Sequence, residues 1–136
     1  MQTTDWIQFI SIIIALAAIF ITIYTFKQQL KQNFFADYTK RYQEIMLHLP
    51  DTLFQNDVQY DDLDCETKCY LRAYIDLCSE EYYLKETKKI DIKVWKNWEE
   101  GMKTAFSRVV IKDAWRNFDK SSYKDFARYV RDELIY

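Results

Sequence analysis

Residues 6–26, WIQFISIIIALAAIFITIYTF, constrain this chain more than any other stretch. The run holds no charge, no Gly and no Pro, with Asp5 before it and Lys27 after it. At ~1.5 Å per residue it would extend roughly 30 Å as a helix, about the thickness of bilayer hydrocarbon. Trp6 and Tyr24 lie near its two ends, where aromatic rings sit at headgroup depth. The pattern predicts a single transmembrane helix. A cleaved signal peptide fits less well, because Met1 to Asp5 carries no Lys or Arg and no small-residue cleavage site follows the run.

The polar and small residues of this run are ordered. Gln8, Ser11, Ala15, Ala18, Thr22, Thr25, Gln29 and Gln32 follow one another at spacings of three and four, and the series continues through Ala36, Thr39 and Gln43. A helix places them on one seam. The neighbouring seam, Phe9, Ile12, Leu16, Ile19, Ile23, Phe26 and Leu30, is bulky and suits lipid. Small and hydroxyl side chains allow membrane helices to approach closely and bond across the contact. The seam therefore predicts a parallel homo-oligomer. Spacing alone leaves open whether it lines a pore or is buried packing.

All 19 basic residues follow the apolar run, and Lys27 and Lys31 lie beside its end. The positive-inside rule then predicts a short extracytoplasmic N-terminus (1–5), a span (6–26) and a cytoplasmic domain (27–136) at a bacterial inner membrane. The formal net charge of −2 argues against a polyanion binder, but the charge is uneven. Residues 51–66 hold six acids and no base, whereas residues 103–131 hold eight bases and three acids. Arg108, Lys112, Arg116, Lys120, Lys124 and Arg128 recur every four residues, and the acidic stretch is a candidate counterpart for them on a neighbouring copy.

No Gly or Pro interrupts residues 6–49, so one continuous helix is predicted, with a second apolar seam at Phe35, Tyr38, Tyr42, Ile45 and Leu49. Pro50 ends it and an acidic loop follows. A second helix should start at Asp64 and face Leu71, Tyr74, Ile75, Cys78 and Tyr82 inward. A third should bury Ile92, Trp95, Trp98, Met102 and Phe106, with Gly101 weakening it by about 1 kcal/mol. A fourth covers 109–118 with Trp115 inward. The last opens on a capping-box start at Ser122 and buries Tyr123, Phe126, Val130 and Leu134. No stretch alternates with period two for long, so the fold class is all-α: a transmembrane helix continuing into a small helical bundle.

Chemistry-bearing constellations are few. Cys65, Cys69 and Cys78 read as reduced, core-filling thiols, and with one distant His they make no zinc set. There is no Gly-rich phosphate loop and no Ser-His-Asp order, so neither a cofactor nor a small-molecule substrate is expected. One spacing stands out. Arg41 and His48, seven residues apart, share a helical face. They resemble the R-x(4–6)-H motif of HEPN ribonucleases, in which His moves a proton and Arg answers phosphate charge. The residue after the Arg, usually polar in that family, is Tyr42 here. The same residues also fit surface pairs Asp37–Arg41 and Glu44–His48 at i,i+4.

With one N-terminal span and a small helical domain, Arg41 and His48 make the chain resemble the membrane accessory proteins of type VI-B CRISPR systems. Residues 92–134, through Trp95, Trp98, Trp115, Phe126 and Val130, also resemble a widespread group of bacterial membrane-anchored helical proteins. The first resemblance implies antiviral defence, a homo-oligomeric membrane pore and partnership with an RNA-guided, RNA-cutting effector. A ribonuclease using Arg41 and His48, or a passive anchor for a cytosolic partner, are the alternatives.

Overall fold

The computed structural model describes residues 3–54 and 58–135. Five α-helices account for most of them: α1 (Thr3–His48), α2 (Cys65–Glu86), α3 (Ile92–Phe106), α4 (Val109–Asn117) and α5 (Lys124–Tyr129). The described residues contain no strand. The last helix runs on into a π-type turn, Val130–Leu134, and short 3-10 turns occupy Asp51–Phe54 and Tyr60–Asp62.

α1 is unbroken for 46 residues, about 69 Å at 1.5 Å per residue. It has two environments. Every residue from Thr4 to Lys27 is exposed, including the whole apolar run, so this helix is long and apolar enough to cross a membrane. From Gln28 onward one side becomes covered, and Tyr38, Ile45 and Leu49 are buried. Two members of the expected apolar seam stay out: Phe35 and Tyr42 are each 45% exposed. Phe35 lies beside Trp98 of α3 with rings 6.4 Å apart, and Tyr42 leans on Tyr74 of α2 at the same separation. Pro50 stops the helix by disfavouring a helical conformation at Leu49.

α2 forms the centre of the bundle and touches α1, α3, α4 and α5. Asp64 starts it, accepting the Thr67 backbone N–H at 2.6 Å. Leu71, Ile75, Leu77 and Cys78 are almost fully enclosed. Around them Phe106, Trp115 and Phe126 meet edge to face at 5.7–6.4 Å, the arrangement aromatic quadrupoles prefer. Tyr82 is half-buried and stacks on Tyr129 at 4.7 Å. α2 ends on a left-handed residue, Lys88 (φ 57°), with Lys89 N–H bonded to Leu84 O and Lys88 N–H to Lys85 O. That is a Schellman closure, built without its usual glycine.

Three expectations are corrected. Ile92 is 61% exposed, because it opens α3 at the rim of the bundle before that helix passes over α2. Ser122 caps nothing: Asp119 takes the Ser121 amide and hydroxyl at 2.9 and 2.8 Å, and α5 begins after Tyr123 with no side-chain cap. Of the three thiols only Cys78 fills the core, since Cys65 and Cys69 lie on the outward side of the first turns of α2.

Candidate functional site

Arg41 and His48 lie on the flank of α1 that turns toward α2, about 10 Å apart along the axis. Both border one cleft of about 660 Å³, together with Tyr70, Asp76 and Glu80 from α2 and Tyr123 from the turn before α5. The helical spacing thus brings the two residues to one concave surface.

Their bonding differs from the surface pairs read in the sequence. The Arg41 guanidinium donates to both oxygens of Glu80, from Nη1 at 2.6 Å and Nη2 at 3.4 Å, and lies 5.2 Å over the Tyr38 ring. Tyr38 Oη donates to the same carboxylate at 3.1 Å. The bond from Arg41 holds the Glu80 carboxyl below its ordinary range, while burial and the Glu80 charge push the Tyr38 phenol up to about 12. The trio is a fixed ionic clasp between α1 and α2. Glu44 pairs with Lys40 at 3.8 Å rather than with His48.

His48 is oriented from two sides. Its Nδ1 lies 2.8 Å from the Glu44 backbone oxygen, and its ring stacks on Tyr70 with centroids 4.3 Å apart and planes 14° apart. A carbonyl can only accept, so Nδ1 carries the proton and Nε2 is the nitrogen left for other chemistry. Carboxylates line the cleft around it, each with a partner: Glu80 holds Arg41, Glu44 pairs with Lys40, and Asp76 holds the Tyr123 hydroxyl, on which Arg72 also acts. Arg41, committed to Glu80, is not free to answer the charge of a phosphate backbone.

The polar seam is uncovered from Gln8 through Gln32: Gln8, Ser11, Ala15, Ala18, Thr22, Thr25, Gln29 and Gln32 are all exposed. Its hydroxyls already have acceptors. Ser11, Thr22 and Thr25 each donate at 2.8 Å to the carbonyl four residues earlier, those of Ile7, Ala18 and Ile21. The hydroxyl donors are therefore satisfied within α1, and what the seam offers a neighbour is hydroxyl lone pairs, three glutamine amides (Gln8 at one end, Gln29 and Gln32 at the other) and two alanine notches. With a period of 3.5 residues the stripe drifts by ~20° per heptad, so helices that follow it cross left-handed at a small angle.

The basic series after α3 does not form one face. Arg108 to Arg116 lies on α4 and its cap, and Lys124 and Arg128 lie on α5 beyond a turn. Arg116 pairs with Asp113 at 2.8 Å, and Lys120 lies over the Trp115 ring. In the acidic stretch Asp64 serves as a helix cap, and Asp57 lies outside the described residues.

Sequence reasoning missed Glu80, Tyr70, Asp76 and Tyr123. Glu80 is 39 residues from Arg41, and no local pattern joins them. No protein-family model, curated protein or solved structure matches the chain.

Proposed function

We propose that the protein is a membrane-anchored, non-enzymatic assembly factor. Residues 6–26 span a bacterial inner membrane once, the N-terminus lies outside, and the bundle stands in the cytoplasm. Copies associate in parallel through the seam from Gln8 to Gln32 and enclose a pore. Its place beside an RNA-targeting CRISPR effector is what the family resemblance implies. One observation carries the reading: the apolar run is exposed on every side from Thr4 to Lys27, while the rest of the same helix is seated on a packed bundle. A helix that is apolar all round needs lipid or other helices for cover.

The Arg41–Glu80 pair favours this over RNA cleavage, because the guanidinium that would answer phosphate charge is already matched. Under this reading Arg41 and His48 hold α1 to α2.

Replacing Ser11, Ala15, Thr22 and Thr25 together with Leu tests the proposal, since it preserves apolarity but blocks close approach. Each hydroxyl contact contributes on the order of 0.6 kcal/mol, so single changes should be tolerated and the four together should not. In lipid nanodiscs the parent should be oligomeric and the quadruple variant smaller, and in liposomes only the parent should leak ions. An unchanged size for the variant would remove the seam as an interface. An assembled parent that never conducts would leave only anchoring.

A further inference from the structure

A second cavity of about 550 Å³ opens between α1, α2 and α3. Its walls are apolar and aromatic: Tyr42 and Met46 from α1, Tyr74 from α2, Trp98 and Met102 from α3. One wall is different. Glu81 lines the cavity, is only 6% exposed, and among the described residues has no hydrogen bond or ion pair. Its oxygens are not sealed in the packing but open into the cavity, so a partner for the ionised carboxylate has to enter there. Arg41, whose charge acts on Glu81, is itself committed to Glu80.

We infer that this cavity is a binding site for a small organic cation with an apolar body, whose positive centre meets the Glu81 carboxylate between the rings of Tyr42, Tyr74 and Trp98. The volume is in the range of small-molecule pockets, and aromatic faces beside a carboxylate suit an ammonium group, above all a methylated one. Gly101 forms part of the rim, where a side chain would meet open space. Arg108, at the same rim, would turn away a second positive group and so favours a monocation.

The groups facing Glu81 set its proton affinity. Arg41 and Tyr42 face it from α1, Tyr74, Cys78 and Glu80 from its own helix, and Arg108 from the junction after α3. Burial, opposed by Arg41 and reinforced by Glu80, pushes the carboxyl up to about 8. A cation that binds the ionised form must therefore displace a proton at neutral pH. Affinity for a permanently charged probe should rise by about ten-fold from pH 7 to pH 9 and level off.

The test uses the full-length protein in detergent, with benzyltrimethylammonium and its uncharged isostere neopentylbenzene as probes, followed by tryptophan fluorescence and calorimetry. The cation should bind at least ten-fold more tightly than the isostere at pH 9, with the stated pH dependence. Glu81→Gln, which keeps shape and removes charge, should lose that advantage and the pH dependence while leaving the isostere unaffected. Gly101→Leu should weaken both probes by closing the rim. The inference is overturned by no binding of the cation at millimolar concentration, by equal binding to Glu81→Gln, by pH-independent affinity, or by undiminished binding to Gly101→Leu.

Discussion

Glu81 makes the folded protein sensitive to alkali. Its carboxyl titrates at about 8 when folded, against 4.5 as the ordinary value. Between these pH values the native chain keeps a proton that the unfolded chain has released, so stability falls as pH rises, by at most ~1.4 kcal/mol per pH unit. The fall should begin near pH 4.5 and be nearly complete by about pH 9, reaching on the order of 5 kcal/mol. Urea titrations of the full-length protein at pH 5 and pH 8.5 should resolve it, and Glu81→Gln should flatten the difference. An equal fall in that variant would assign the effect to another group. Glu81 was missing from the inward face read in the sequence, although it lies three residues after Cys78 in the inward register of α2. Arg41 is the opposite case. Its neighbours at i±4 suggest Asp37, whereas the bond goes to a residue on another helix, and chain-distant geometry of that kind leaves no mark on local spacing.

Helix boundaries were most legible where one residue decides them. Pro50 ends α1 and Asp64 begins α2, each through a local steric or hydrogen-bonding effect that composition displays. The start of α5 was not legible, because Asp119 and Ser122 compete for the same turn and the winner is settled by the fold. The chain's single glycine and the left-handed residue found among the described residues are in the wrong places relative to each other. Gly101 lies inside α3, where a β-carbon would meet nothing within 4 Å, while Lys88 takes φ 57° at the end of α2. Gly101→Ala should therefore stabilise the protein by about 1 kcal/mol. Lys88→Gly should add a similar amount by relieving the left-handed backbone. Thermal melts of both variants check this, and a lowered midpoint for Gly101→Ala would indicate that the rim has no room after all.

At the scale of the whole molecule, the absence of any break in α1 ties the seam to the bundle in angle as well as in position. In the proposed membrane assembly, one alanine inserted between Phe26 and Lys27 would rotate the seam by ~100° relative to the bundle and lift it by ~1.5 Å. Seven inserted residues would add about 10 Å but return the two faces to within ~20° of their original alignment. If spans and bundles touch their neighbours in the same oligomer, the single insertion should disrupt assembly in nanodiscs and the seven-residue insertion should largely restore it. An oligomer of parental size from the single insertion would mean that the bundles take no part.

The continuous helix also limits how such a protein can move. A span joined through a hinge can tilt or swivel while its domain stays still, but here the last covered turn and the first apolar turn belong to one hydrogen-bonded rod. Neighbouring rods that keep their ridges engaged can slide past one another only by turning as they go. Along the i±4 ridges a step of four residues, ~6 Å, brings ~40° of rotation with it, so in the proposed assembly a partner that twists the bundles would drive the spans along their axes as a screw.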